Sequence, residues 1–367
     1  MKQIRVLHVI ARMNIGGTAT YVSNLIRGLG ELGVESLLAA GSVPNGESED
    51  EVIQSLPFVR VMGLSREIRP KADLRALLEI NRIIREFKPD IIHSHTFKAG
   101  LLVRGVSRDV PLVHSFHGHH LYDPEFGILK VKVLNAIEKL LINRVEKAVV
   151  IGARVRDELL RAGIGRPEIY LPISPGIEDS VETCTVNVRE RFGIGDEEQV
   201  VMWLGRFTHV KRPDIVLELA RELKGLTFVM AGDGELFESI RSKAPDNLKL
   251  LGFQDKNEMW KIADIGLCTS DSEGMPLSLI EAQMAGVPVV STDVGSVSEI
   301  VRDGITGKLA KSNKDLMNSL IWVSSEIKKS SSLSQSSREN ALSKFTYQRM
   351  AKEHFELYRE ITDRVSS

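Results

Sequence analysis

The chain has 367 residues, long for one hydrophobic core and comfortable for two domains of about 170 residues each. Its 43% hydrophobic and 26% charged residues are ordinary globular composition, and a net charge of −1 argues against a nucleic-acid partner. The two cysteines, Cys184 and Cys268, match neither a disulfide framework nor a metal-ligand spacing, which leaves a reducing cytoplasm as the expectation.

Residues 4–10 form an apolar strand that begins almost at Met1, so no secretory leader is expected, and no run of about 18 apolar residues is present to span a membrane. A helix follows with Tyr21, Val22, Leu25, Ile26 and Leu29 on its apolar side. Next come strand-like runs at 34–40 and 58–62, a helix through Leu74, Leu77, Leu78, Ile80, Ile83 and Ile84, and strands at 91–95, 110–116, 148–151 and 169–173. Between the third and second last of these, 126–147 reads as a helix with Leu129, Val133, Leu134, Ile137, Leu140, Leu141 and Val145 apolar. It carries five basic residues (Lys130, Lys132, Lys139, Arg144, Lys147) against Glu138 and Glu146. Such a helix either packs on the sheet with its lysines solvated or rests on an anionic membrane.

Residues 174–196 carry Pro175, Gly176, Asp179 and Gly193 without periodicity and read as an interdomain connection. The strand–helix rhythm restarts at 200–204 and continues through 227–231, 248–251, 265–269 and 287–291. The serine-rich 330–337 is expected to be a turn between helices. Residues 347–365 read as a last amphipathic helix, with Met350, His354, Phe355, Leu357, Tyr358 and Ile361 toward one side. Alternation of this kind favours parallel sheets.

One fingerprint misleads. Gly28-Leu29-Gly30-Glu31-Leu32-Gly33 spells G-x-G-x-x-G, but it ends a helix and precedes a strand, the reverse of the dinucleotide-binding context. Helix-stop and turn glycines explain it better, and a dehydrogenase is not expected.

The segment from Ser272 to Glu281 places two carboxylates eight residues apart around a helix start, with Pro276 suited to the first turn. Glu273 belongs to a loop at a strand's carboxyl end, where open α/β sheets bind ligands, and Glu281 to the helix itself. Eight helical residues climb roughly 12 Å. That is too far for the carboxyl pair of a retaining glycosidase, which stands about 5 Å apart. Gly16 and Gly17 lie between the first strand and first helix, where a backbone can approach a diphosphate. Arg206 and Lys211 follow the strand 200–204. A guanidinium fork and a mobile ammonium there would neutralise a leaving phosphate, although as an isolated pair they would be solvated surface charges.

Six of nine histidines fall between residues 93 and 120. Zinc is not expected, because no carboxylate or cysteine ligand set accompanies them and His93 and His95 are read as alternating faces of a strand. No Asp-x-Asp pair closes a strand either; Asp271-Ser272-Glu273 is the nearest approach, and no metal is expected.

Four motifs in order carry a family resemblance. Glu273 to Glu281, continued as Ala282-Gln283-Met284-Ala285-Gly286-Val287-Pro288, resembles the E-x7-E signature of the retaining glycosyltransferase family four. Ile15-Gly16-Gly17-Thr18 resembles its N-terminal glycine loop, Gly205 to Asp214 its Arg/Lys segment, and Ala231-Gly232-Asp233-Gly234-Glu235 its second-domain turn. Gly295-Ser296-Val297-Ser298-Glu299 departs from the Gly-Gly-x-Pro-Glu run common in the family.

The resemblance implies a GT-B fold. Two Rossmann-like domains would face each other across a cleft, at 1–175 for the acceptor and 176–345 for a nucleotide-sugar, with the helix 346–367 crossing back to the first. It implies that Glu281 accepts the ribose hydroxyls. Glu273 would lie beside the transferred sugar, and backbone amides around Gly274, Met275 and Leu277 would hold sugar or phosphate oxygens. His117 would reach donor sugar or acceptor, with His119 and His120 lining the acceptor side. The implied activity is metal-independent transfer, with retention, to a glycan, glycolipid or small glycoside hydroxyl in the cytoplasm or at a membrane contacted through 126–147. An epimerase on the same fold and a noncatalytic nucleotide-sugar sensor are the alternatives.

Overall fold

The computed structural model describes residues 3–44, 47–106, 109–118, 127–179 and 188–366. His119, His120, Phe126 and Cys184 lie outside the described residues. The chain divides into two compact units, one built from Met1–Glu178 together with Phe345–Ser367, the other from Asp179–Lys344.

The first unit is a seven-stranded sheet of β1 (Arg5–Ile10), β2 (Glu35–Ala40), β3 (Phe58–Arg60), β4 (Ile91–His95), β5 (Leu112–Phe116), β6 (Lys147–Val150) and β7 (Tyr170–Pro172). The order across it is β3-β2-β1-β4-β5-β6-β7, all parallel. β4 and β5 are buried at every residue. Helices cover both faces of such a sheet, which is why its central strands read as unbroken apolar runs rather than alternating ones.

The helix Gly17–Glu31 covers one face together with the final helix Tyr347–Ser366. Gly28 stands where those two helices meet. A Cβ added there would lie 2.6 Å from the Ala351 methyl and 3.1 Å from the Tyr347 ring. The glycine read from sequence as a helix stop is therefore a close-packing position; the helix runs three residues past it, and Gly33, at φ 80°, makes the turn.

The helix expected over 126–147 is shorter than its apolar pattern. It spans Ile128–Leu141, a 3₁₀ turn takes Ile142–Arg144, and Lys147 opens β6. Arg144, exposed, donates to the Arg104 carbonyl at 3.0 Å. Leu134 and Leu141 are buried, whereas Leu129 is 77%, Val133 51% and Leu140 75% exposed. Much of the helix's apolar surface thus faces outward. No described helix is long and apolar enough to cross a membrane.

The second unit repeats the plan with β8 (Val200–Leu204), β9 (Thr227–Ala231), β10 (Leu248–Leu250), β11 (Ile265–Cys268), β12 (Val289–Thr292) and β13 (Gly307–Ala310). The order is β10-β9-β8-β11-β12-β13, again all parallel. Both units therefore follow the doubly wound order 3-2-1-4-5-6, with a reversal point between β1 and β4 in one and between β8 and β11 in the other.

Two features of this unit escape the sequence reading. β13 was not anticipated, since Gly307-Lys308-Leu309-Ala310 is short and carries a lysine. The serine-rich segment expected as a turn is instead the helix Ser332–Lys344. Serine is only a moderate helix former, so tertiary contacts hold it. Leu333 and Ala341 are buried, Ser337 donates to the Thr306 carbonyl at 3.0 Å, and Asn340 donates to Gln283 at 2.9 Å and to the Ile300 carbonyl at 3.0 Å.

Candidate functional site

In the second unit the loops after β8 and β11 converge at the reversal point. Arg206 is exposed just beyond β8, and Lys211 ends a 3₁₀ turn, His209–Lys211. Several hydrogen bonds fix this loop. Phe207 N donates to Asp233 O at 2.9 Å, so the Gly232-Asp233-Gly234 turn lies directly against it. Gly232 has φ 137°, and a Cβ there would stand 1.9 Å from the Gly205 carbonyl, so only glycine permits this approach. Thr269 Oγ1 accepts from the Trp203 indole at 3.2 Å and lies 2.9 and 3.0 Å from the Lys211 and Arg212 carbonyls.

Glu273 sits in the loop after β11, as expected. Its Oε1 accepts from Lys211 Nζ at 2.5 Å and from Ser270 Oγ at 2.6 Å. Both carboxylate and ammonium are largely buried. Burial works to lower the Lys211 pKa, but the charge and hydrogen bond of Glu273 outweigh it and hold the ammonium above its ordinary range. The loop after β12 supports this one from behind. Ser296 N donates to Gly274 O at 2.7 Å, and Gly295, left-handed at φ 51°, brings its Cα against the Glu273 backbone. The departure from the family's Gly-Gly-x-Pro-Glu run thus leaves the buttress in place.

The following helix spans Leu277–Met284, with Pro276 as its N-cap residue rather than inside the first turn, and no side chain caps it. Leu279 N donates to the Pro276 carbonyl at 3.2 Å, and the amides of Leu277 and Ser278 ahead of it can face an oxygen ligand. Met275 is buried in the core, so a role for it would rest on its backbone alone. Glu281 lies on the helix and accepts from Lys256. Sequence reasoning missed Lys256, 25 residues from its partner, as well as Ser270 and Thr269; the last two carried a signal, since they close a strand beside the Glu273 loop.

In the first unit Gly16 is the N-cap of the helix Gly17–Glu31, with no side-chain cap and no acidic residue in the first turn. This uncapped helix start opens beside the carboxyl end of β1, on the reversal point with β4. His117 follows β5 and is half-buried. Burial, and secondarily the neighbouring His354, push its pKa down, which makes it a neutral imidazole at physiological pH.

The expectation that His93 and His95 alternate faces is wrong. Strand side chains repeat every two residues, so both project to one side, and their ring centroids are 4.2 Å apart. β1 pairs His8 directly with His93, adding a third ring that the sequence did not flag. The nitrogens of His8, His93 and His95 come within 4.8 Å of one another, close enough for a metal to span. Their existing partners fit a hydrogen-bonded network better. His93 engages both nitrogens, with Tyr358 Oη at 2.6 Å and Ser115 Oγ at 2.7 Å, and His95 engages both with His8 and His117. Nearby, Thr96 is left-handed at φ 69°, a strained conformation for a β-branched residue, and its buried hydroxyl has no partner among the described residues.

Residues 15–180 match the profile of glycosyltransferase family 4 and residues 186–340 that of glycosyl transferases group 1. The chain belongs to the group 1, family 4 glycosyltransferases. A D-inositol 3-phosphate glycosyltransferase of Corynebacterium aurimucosum is 27% identical over 81% of this chain and 80% of its own length. One of the same name from Mycobacterium bovis is 29% identical over 61% of this chain, a match that spans about half of its length (51%). Among solved structures, Anabaena HepE in complex with UDP and glucose superposes with a TM-score of 0.82 over 98% of this chain and 100% of HepE, at 17% identity. These neighbours make the fold GT-B, and this glycosyltransferase places Glu273, its Arg/Lys pair and its glycine loop beside the two sheet reversal points, with Glu281 further along its helix, paired with Lys256.

Proposed function

We propose that this glycosyltransferase moves a sugar from a nucleoside diphosphate to a hydroxyl of a glycan, glycolipid or small glycoside, with retention and without a metal. The observation that carries the reading is the Lys211–Glu273 pair, set beside an uncapped helix start at the β8/β11 reversal point. Arg206, Lys211 and the helix amides supply positive charge where a diphosphate would depart, the task a divalent metal performs elsewhere. The bond from the anomeric carbon to the phosphate oxygen breaks, and the acceptor oxygen bonds to the same face. The acceptor proton passes to the leaving phosphate. Glu273, held by Lys211, lies beside the transferred sugar, and Glu281 accepts the ribose hydroxyls. A carboxylate has about four lone-pair sites, so the ribose joins Lys256 as a donor to Glu281. The UDP in the HepE structure and the D-inositol 3-phosphate in the relatives' name supply the first donor base and acceptor to try.

The test is thermal stabilisation by UDP-, GDP- and ADP-sugars with EDTA present. One donor base at about 100 times its Kd should add roughly 2.7 kcal/mol of stability. Glu281→Ala should bind that donor about 10- to 100-fold more weakly, through loss of charged hydrogen bonds. No shift with any nucleotide-sugar sinks the reading, and a shift that needs added metal sinks its metal-free part.

The exposed Leu129, Val133 and Leu140 beside Lys130, Lys132 and Lys139 favour a second element. We infer that this helix rests on an anionic lipid surface that carries the acceptor. In vesicle sedimentation, the protein should pellet with phosphatidylglycerol vesicles and not with phosphatidylcholine. Leu129→Glu/Leu140→Glu should cut the bound fraction about tenfold; equal binding by that variant rejects the contact.

A further inference from the structure

Buried between the first sheet and the helices Gly17–Glu31 and Tyr347–Ser366 is a set of hydrogen-bonded rings whose protons can be assigned. His354 Nδ1 lies 2.8 Å from the Met350 carbonyl, which only accepts, so Nδ1 carries the proton. His354 Nε2 is then an acceptor, and it takes the Tyr21 hydroxyl at 3.2 Å. The Tyr21 ring in turn meets His117 edge to face, with centroids 4.6 Å apart at 82°, and sets the plane of that imidazole.

A second chain of three imidazoles runs from the interior to His117. His8 Nδ1 is 3.2 Å from His95 Nε2, and His95 Nδ1 is 3.2 Å from His117 Nε2. All three are held neutral, with burial as the first cause, and His8 is pushed down to about 3. A neutral imidazole carries one N–H, so two hydrogen bonds through three rings leave two arrangements. If the protons point toward the interior, His8 Nε2 holds an N–H. That atom is buried and has no partner among the described residues. If they point outward, His8 Nε2 is a bare acceptor and His117 carries its proton on Nδ1. A buried N–H without an acceptor is rarer and costlier than an unused lone pair. The outward arrangement is therefore the stable one.

We propose that His8 and His95 are positioning residues that lock His117 as the Nδ1–H tautomer, so that His117 meets its ligand as a hydrogen-bond donor to an oxygen and not as a base. The identity of that oxygen, a sugar hydroxyl or a phosphate, rests on the transferase reading above; the tautomer does not.

Long-range proton–nitrogen NMR of histidine-labelled protein, without substrate, reads the tautomer directly, with the His117 signals assigned by their loss in His117→Gln. Wild type should show His117 protonated at Nδ1 and bare at Nε2. In His95→Asn an amide stands where Nδ1 stood and should preserve that state. His95→Gln puts the amide at the other nitrogen's place, and His117 should revert to the Nε2–H form that free imidazole prefers. In turnover, His95→Gln should lower kcat about tenfold or more with KM little changed, and His95→Asn should restore it. An Nε2–H His117 in wild type overturns the proposal, as does stoichiometric metal bound at the three histidines. Because the wild-type spectrum needs no turnover and no nucleotide-sugar, and its assignment only a folded His117→Gln, failure here is separable from failure of the donor panel.

Discussion

Lys211→Ala is expected to lower kcat about 10²- to 10³-fold, the usual cost of losing one preorganised charge at a developing anion. Three observations set that size. The ammonium is on a loop fixed by Thr269 and by the Gly232 turn, so its position needs no reorganisation during reaction. It is largely buried, where a charge acts at lower dielectric than on the surface. Its pKa lies above the ordinary 10.5, because Glu273 overcomes the effect of burial. A raised lysine pKa keeps the ammonium charged at neutrality, and its contribution to stability is whole below the unfolded value of 10.5 and is lost as pH rises from there through the folded value. The pH profile at neutrality therefore should carry no Lys211 titration. Lys211→Arg should recover little, since a planar fork does not occupy a point charge's site. Lys211→Ala also leaves Glu273 with the Ser270 hydroxyl and the Cys268 thiol and no ion-pair partner among the described residues, so folding must be checked by circular dichroism beside the kinetics. A folded Lys211→Ala with wild-type kcat would remove the leaving-group role and with it the main support for metal-free chemistry.

The largest expected effect on stability lies in the other unit. Arg104, 0% exposed in the helix Phe97–Val106, forks onto Glu138 of the helix Ile128–Leu141 at 2.7 and 2.8 Å, while its Nε donates to the Gly100 carbonyl at 2.9 Å. Glu138→Ala strands that guanidinium in the interior. The expected loss is about 3–5 kcal/mol, a fall in Tm of about 10 °C for a domain of this size. Replacing both partners, as Arg104→Met/Glu138→Leu, removes the two charges together and should return stability to within about 2 kcal/mol of wild type. The comparison separates a buried clamp from a surface pair, for which the single variant would cost about 1 kcal/mol or less. It also bears on the proposed membrane helix, because the same ion pair ties that helix to its neighbour.

The sequence by itself determined the strand runs, their alternation with helices, and the motifs that mark a glycosyltransferase. These are local signals. Apolar runs of strand length, periodic helical faces and glycine-bearing turns act over a few residues, and each is visible without its surroundings. Glu273, Lys211 and Gly16 were legible because they adjoin strand ends, and the parallel alternation places strand carboxyl ends at a reversal point. Where a local rule was misapplied, as with His93 and His95, the two-residue period was still there to be read.

Only the tertiary structure decided the rest. Lys256 reaches Glu281, the serine-rich helix stands because Ser337 and Asn340 find partners in the core, and Gly28 is used for helix packing rather than as a stop. The state of His117 depends on His95, 22 residues away, and through it on His8, a further 87 residues away, while Tyr21 is held by His354 across 333 residues. No periodicity encodes such pairs. Sheet register and helix docking bring them together, and once buried side by side their protons must satisfy one another.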